Sequence, residues 1–191
     1  MTTSEKPFVA ILLGTAREGR LSLAVAQYVF EAFKNDAPFT VELFDIRHFL
    51  TNHTIPPWEP SDETRAWRDV VARAAGFIIV TPEYNHGYPG ELKMLLDHDH
   101  DGYRGKPVLT VGVSEGAFGG ARMIEHILPV YNDLGLVHVP YPLYFPVVGD
   151  FAKKTDEERE GDYKKKIDRS MGKLALYLEH LRGLNEKLVA K

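Results

Sequence analysis

Three short segments concentrate the side chains with chemical potential. The first, Gly14-Thr15-Ala16-Arg17-Glu18-Gly19-Arg20-Leu21-Ser22, follows the apolar run Phe8–Leu13 and leads into a helical stretch. A glycine- and hydroxyl-rich turn entering a helix suits an anion, because backbone N–H groups point into the turn and the helix dipole favours negative charge. Thr15 and Ser22 can donate hydroxyl hydrogen bonds, and Arg17 and Arg20 can add charge-assisted contacts to phosphate oxygens. Gly14 and Gly19 have the spacing of a triphosphate loop, but Arg20-Leu21 stands where that loop needs Lys-Ser/Thr. The G-x-G-x-x-G dinucleotide pattern is absent too. The segment reads as a monophosphate cradle; the plainer alternative is a strand–helix turn with a serine N-cap.

The second segment is Pro82-Glu83-Tyr84-Asn85-His86-Gly87-Tyr88-Pro89-Gly90-Glu91-Leu92-Lys93. Its prolines and glycines impose an unusual backbone path, with aromatics and an amide inside it. That combination suits a flat heteroaromatic ring, its face against Tyr or Pro and its edge on backbone amides. His86 stands either against an incoming substrate or simply at the rim. The third segment is Ser114-Glu115-Gly116-Ala117-Phe118-Gly119-Gly120-Ala121-Arg122, where glycines let backbone approach a ligand closely.

A fourth run, Asp97-x-Asp99-x-Asp101-Gly102, opens like a calcium-binding EF loop. Position twelve of such a loop needs a bidentate glutamate, and here it is Val108. His98 and His100, two apart on what reads as a short exposed connection, do not share one ligand-facing side. A solvated acidic loop without metal is the reading.

The elements that must position these segments alternate along the chain. Phe8–Leu13, Thr40–Asp45, Gly76–Thr81, Pro107–Val113 and Val137–Tyr141 read as strands. The first, third and fourth are nearly continuous apolar runs, as in a parallel sheet covered on both faces. Helices are expected over Ser22–Lys34, Ser61–Ala75, Pro89–Leu96 and Gly119–Leu134, and in a last segment carrying Ile167, Met171, Leu174, Leu178 and Leu181 at spacings of three and four. The alternation implies a three-layer α/β/α sandwich on a doubly wound parallel sheet of order 2-1-3-4-5. In such folds ligands sit beyond the carboxyl ends of the strands, near the switch point between strands 1 and 3. All three segments fall there. Tyr141–Asp150 is rich in proline and aromatics and carries no motif; it is open to shaping a pocket or a subunit contact.

Composition narrows the function classes. The 191 residues suit one domain, 1–191, and contain no cysteine, which removes disulfides, iron–sulfur clusters, thiol catalysis and thiolate zinc sites. Met1–Pro7 is too short and polar for a signal peptide, and no apolar run reaches the ~18–20 residues of a membrane span. A net charge of −4 without a wide basic patch argues against nucleic acid. The charged stretch Lys153–Lys166 reads as a solvated face. A cytoplasmic protein acting on small molecules, without membrane or nucleic-acid partner, is expected.

Taken together, Gly-Thr-x-Arg-x-Gly-Arg, Pro-Glu-Tyr-Asn-x-Gly-x-Pro-Gly-x-Leu-Lys, and Gly-Lys-Pro-Val with Gly-Gly-Ala-Arg give a chain that resembles the NADPH-dependent FMN reductase family from about Val9 to Leu136. The resemblance implies a flavodoxin-like fold with bound FMN and with NADPH or NADH as co-substrate. It places Thr15, Arg17, Arg20, Leu21 and Ser22 around the phosphate, Pro82, Glu83, Tyr84, Asn85 and His86 beside the isoalloxazine, and Ser114 and Gly116 at its other edge. Family members reduce quinones, flavins, azo dyes or chromate and pair as dimers, often dimers of dimers, so a homodimer or homotetramer is expected. Departures are Thr15, where serine is commoner, and the acidic Asp97–Gly102. The flavin carries the redox chemistry, so no catalytic side chain is assigned. One open flavin face would serve nicotinamide and a small-molecule electron acceptor in turn, a ping-pong reaction. The rival readings are a flavodoxin-type electron carrier serving a protein partner and an α/β binding protein without flavin.

Overall fold

The computed structural model describes residues 6–59 and 61–190, so all of the N-terminal stretch before Lys6 lies outside the described residues. Strands β1 (Phe8–Leu13), β2 (Thr40–Asp45), β3 (Gly76–Pro82), β4 (Pro107–Val113), β5 (Val137–His138) and β6 (Leu143–Phe145) form one parallel sheet. Its order is β2-β1-β3-β4-β5, with β6 also pairing β4. The expected order therefore holds, but the fifth strand is broken in two. β5 pairs the start of β4, at Pro107↔Val137, and β6 pairs its end, at Val113↔Phe145. Pro140 and Pro142 lack the N–H a strand interior needs, and Tyr141 between them has φ +73°. β6 lies inside the proline- and aromatic-rich Tyr141–Asp150 stretch, beyond the expected strand Val137–Tyr141.

The helices are α1 (Ser22–Asp36), α2 (Asp62–Arg73), α3 (Gly90–Leu96), α4 (Ala121–Asp133), α5 (Val148–Lys153), α6 (Asp156–His180) and α7 (Leu184–Val189). Strand residues alternate between two cores, as the two-residue period of a strand requires. Val9, Ile11 and Leu13 of β1 enter the core shared with α1 and α6, while Ala10 and Leu12 enter the one shared with α2, α3 and α4. Phe77 and Ile79 against Ile78 and Val80 repeat this on β3. This double covering is why the strands read as unbroken apolar runs. The long α6 starts with a capping box: the Thr155 hydroxyl accepts from the Glu158 N–H, and the Glu158 carboxylate accepts from the Thr155 N–H at 2.8 Å. Its first two turns thus fall within the charged stretch read as a solvated face, and most of those side chains are indeed exposed.

The register sets the site. Leu13 is level with Asp45 and with Val80, and Pro82 with Val113, so the turns after β1, β3 and β4 leave the sheet at neighbouring points.

Candidate functional site

The turn after β1 is braced from outside. Arg20 is turned inward, its side chain 4% exposed, and pairs through Nη2 with Asp45 at the end of β2. Its Nη1 donates to the Thr15 carbonyl at 2.6 Å. Arg47 donates to the Ala16 carbonyl at 2.8 Å and to the Arg17 carbonyl at 2.9 Å. Three successive carbonyls are thereby held by guanidinium groups, so the negative ends of these peptide dipoles are neutralised. At the start of α1, Leu21 offers no side-chain cap, which leaves the first-turn N–H donors without one. Ser22 is buried there, and its Oγ has no partner.

Thr15 is fully buried, and its hydroxyl donates to Glu91 Oε1 at 3.0 Å. The same carboxylate oxygen accepts the Ala16 N–H at 3.0 Å. The Thr15 Oγ1 and the Tyr84 hydroxyl lie 3.1 Å apart, and Arg17 Nε donates to that tyrosine hydroxyl at 3.1 Å. With its one proton given to Glu91, the Thr15 hydroxyl accepts from Tyr84. Thr15 therefore ties the first turn to the second. Of the two arginines expected at an anion, Arg17 remains exposed beside the turn, whereas the strong contact expected of Arg20 is made with Asp45.

After β3, Tyr84 and Gly87 exchange both backbone hydrogen bonds, N–H to O=C, at 2.9 Å each. The two residues between them, Asn85 at φ +49° and His86 at φ +68°, are left-handed, as in a tight type I′ turn. Gly87 is thus committed within the turn, while Asn85 and His86 at its tip are exposed residues. After β4, the Ser114 N–H donates to Phe145 O at 3.1 Å and the Ser114 hydroxyl to Gly116 O at 2.8 Å. Gly120 (φ +86°) must be glycine here, since a Cβ would lie 2.8 Å from the Val113 nitrogen.

These segments converge. A cavity of about 260 Å³ at the carboxyl ends of the strands is lined by Arg17, Leu21 and Ser22 of the first turn, Pro82, Glu83 and Tyr84 of the second, and Ser114 and Glu115 of the third, with Val113 and Val148. Eight of the described lining residues come from the three segments read as chemical, of which seven were named as site residues. Thr15, Arg20, Asn85, His86 and Gly116 stand around the cavity without lining it.

The fit to a flavin phosphate ester can be tested on the polar atoms themselves. Ser22 Oγ and Glu83 Oε2 are buried without partners, and both residues line this cavity. Of the seven such atoms among the described residues these two alone belong to residues lining the cavity, and buried polar atoms are normally satisfied, so the pair is open to a ligand's polar groups. One hydroxyl beside a helix N-terminus suits an anion, and one carboxylate oxygen suits a ligand donor.

The family model described as NADPH-dependent FMN reductase matches residues 7–147. The chain belongs to the NADPH-dependent FMN reductase family. An NAD(P)H-dependent FMN reductase of Schizosaccharomyces pombe is 34% identical over 143 residues, covering 66% of this chain and 70% of the relative. A quinone reductase of Escherichia coli K12 is 33% identical over 148 residues, covering 72% and 77%. Among solved structures, FerB, a flavoenzyme NAD(P)H:(acceptor) oxidoreductase from Paracoccus denitrificans, superposes with a TM-score of 0.74 at 18% identity, over 90% of this chain and 98% of that one. That likeness shows the fold. Membership of this family makes the chain an NAD(P)H-dependent oxidoreductase that works with FMN.

Several residues that shape the site were not singled out from the sequence. Asp45, Arg47, Glu91 and Arg122 act through other residues rather than on the cavity. Asp45 did carry a signal, as the last residue of the strand beside the switch point. Glu91 and Arg122 lie inside the second and third segments, but their partners, Thr15 with the Ala16 N–H and Glu83, and those of Arg47, are set only by the folded chain.

The acidic run behaves as a set of local ties. Asp97 pairs with Lys93, Asp99 Oδ1 accepts the N–H groups of His100 and Gly102, and Asp101 pairs with Arg104. Among the described residues no cluster of three or more His, Asp or Glu is placed to hold a metal ion. One expectation is corrected here: His98 is not on an exposed connection but wholly buried, its Nε2 3.2 Å from the Thr51 hydroxyl. That hydroxyl donates to His53 O at 2.6 Å, which pins the connection under the Thr51–His53 segment. Burial lowers the His98 pKa, against the opposite pull of Asp97 and Glu63. Among the described residues no helix is long and apolar enough to cross a membrane.

Proposed function

We propose that this chain binds FMN at the carboxyl-end cavity and passes electrons from NADPH or NADH to a small-molecule acceptor, such as a quinone, in a ping-pong reaction. The observation that carries the reading is the pair of unpartnered buried atoms, Ser22 Oγ and Glu83 Oε2, on one cavity built by all three segments. The flavin, when bound, supplies the hydride-accepting and electron-donating chemistry. The chain's own residues bind and orient it. Arg17, Ser22 and the N-terminus of α1 hold the phosphate, with Leu21 beside them and Thr15 and Arg20 keeping the turn in shape. Pro82, Glu83, Tyr84, Asn85 and His86 border the ring, with the Asn85 and His86 N–H groups at its edge. Ser114 and Gly116 stand at the opposite edge. No side chain is given an acid–base role. The remaining parts of the proposal are that residues 1–191 work as one domain, that the protein is cytoplasmic, and that it acts as a homodimer or homotetramer with a second subunit beside the ring.

The test is a spectrum followed by kinetics. The purified protein should be yellow and release FMN, and it should oxidise NAD(P)H continuously with excess quinone. Double-reciprocal initial-rate plots at several quinone concentrations should be parallel, with quinone inhibiting competitively against NAD(P)H at high concentration. Flavin bound without turnover would favour an electron carrier serving a protein partner. Intersecting lines would demand a separate nicotinamide pocket, and a fully active monomer would remove the second subunit from the site.

A further inference from the structure

Glu83 is held in an unusual way. Its N–H donates to Val113 O at 2.9 Å, which fixes its backbone between the ends of β3 and β4. Its side chain is only 5% exposed. Arg122, the second residue of α4, grips one carboxylate oxygen with two nitrogens: Nε lies 2.8 Å from Oε1 and Nη2 lies 2.5 Å from the same atom. Arginine–carboxylate pairs favour the fork in which each oxygen takes one N–H. Here the Nε–H donates to Oε1, Nη2 lies closest to the same atom, and Oε2 is buried with no partner. Glu83 lines the cavity and Arg122, whose side chain is 45% exposed, does not. Arg122 is itself steadied by Phe118, whose ring lies 5.3 Å from the guanidinium carbon.

This arrangement has two consequences for a cofactor in the cavity. The free oxygen is a preset acceptor for a donor on the cofactor, since a buried carboxylate oxygen without a hydrogen bond is costly. The charge of Glu83 is balanced by a cation that does not line the cavity. Reduction leaves a flavin more negative when two electrons arrive with fewer than two protons, so the net charge beside it biases its potential.

We propose that Arg122 is a positioning residue for the flavin site: it presents Glu83 Oε2 to the bound cofactor and neutralises that carboxylate, thereby setting the reduction potential of the flavin. The inference rests on the flavin reading above. Without Arg122 an uncompensated anion faces the cofactor, and the reduced form is bound less well relative to the oxidised form. Without the Glu83 charge the bias reverses, because Arg122 is left as a net positive charge outside the cavity lining.

The experiment uses the full chain loaded with FMN and its Arg122→Gln, Arg122→Lys, Glu83→Gln and Glu83→Gln/Arg122→Gln variants. Midpoint potential and the FMN dissociation constant are measured for each. Arg122→Gln should weaken binding of reduced relative to oxidised FMN about tenfold, a downward shift of about 30 mV for a two-electron couple. Glu83→Gln should shift the potential upward by a similar amount. The double variant should return close to the parent, and Arg122→Lys should retain the parent's potential because it keeps the charge. A pair that served stability alone would lower the melting temperature of the variants without opposite shifts of potential. Unmoved potentials, or shifts of the same sign in both single variants, overturn the proposal while leaving the flavin site standing. Failure of the parent apo-protein to bind FMN in the same titration overturns the flavin reading itself and this inference with it. If Arg122→Gln does not fold, Arg122→Lys and Glu83→Gln still carry the test.

Discussion

The two ends of the sheet hold cavities of opposite character. At the amino end, about 640 Å³ is enclosed by residues such as Phe8, Phe39, Ala74, Leu178 and Leu181. The carboxyl-end cavity has less than half that volume, about 260 Å³. Yet at the amino end the buried charge is already engaged: the Lys106 ammonium donates to Val71 O at 2.7 Å, and burial pushes its pKa down to about 8. At the carboxyl end four buried polar atoms lack partners, Arg20 Nε, Ser22 Oγ, Thr81 Oγ1 and Glu83 Oε2, two of them on residues that line the cavity, and a helix N-terminus lacks a side-chain cap. Volume measures how well elements pack. Unpartnered polar atoms on a cavity wall, as at Ser22 and Glu83, are the better guide to where a ligand's polar groups would sit.

If that contrast is right, substitutions at the two ends should separate cofactor affinity from stability. The largest effect is expected for Arg17→Ala, which removes a charge-assisted phosphate contact worth ~1.5–3 kcal/mol and so weakens FMN binding roughly ten- to a hundredfold. Titration of apo-protein measures this, and riboflavin, which lacks the phosphate, should bind the parent poorly and discriminate little between parent and variant. An unchanged FMN dissociation constant would take the anion site away from the turn after β1.

A smaller effect is expected on the flank, at His98. Its pKa is lowered in the folded chain, so the unfolded chain takes up the extra proton as pH falls through the ordinary histidine value of about 6.5. Stability is therefore full above that value and declines toward the lower folded pKa. His138, lowered by burial against the pull of Glu125, acts in the same direction. The melting temperature should fall between about pH 7.5 and about pH 5.5. His98→Gln should flatten that slope without altering FMN affinity at neutral pH. An equally steep slope in the variant would assign the acid sensitivity elsewhere.

The smallest effect concerns the amino end alone. Gly172 lies within α6 on the rim of the larger cavity, and a Cβ there would meet nothing within 4 Å. Gly172→Ala should stabilise the fold by about 0.5–1 kcal/mol through reduced chain entropy. Denaturant unfolding and FMN titration together check it: altered FMN affinity would mean that the two ends are coupled and the contrast is false.

The fold was legible where one physical cause dominated. Burial on both faces made Phe8–Leu13, Gly76–Thr81 and Pro107–Val113 readable as strands, and their order followed from right-handed crossovers. The site was legible as three turns because sequence position at strand ends fixes location in this fold class. What escaped reading was orientation. Nothing local tells whether Arg20 faces a ligand or Asp45, since that choice depends on a carboxylate 25 residues away. The same holds for His98, whose burial depends on Thr51 and His53 from another connection. The Thr155–Glu158 capping box was visible in the sequence but hidden by the charge around it.

The broken fifth strand bears on how copies of this chain can meet. A parallel sheet of this order ends on two strands, and an exposed end strand offers its unpaired amides to any other extended chain. On one side that offer is withdrawn: Pro140 and Pro142 bracket a left-handed Tyr141, so the β5–β6 margin lacks a continuous row of donors. Arg169 lies over the Tyr141 ring at 3.6 Å, and the Ser170 hydroxyl donates to its carbonyl at 2.8 Å, which holds the bend in place. The β5–β6 margin is therefore unsuited to building continuous sheets between molecules, and the bend that spoils it is held by the same helix that covers the sheet.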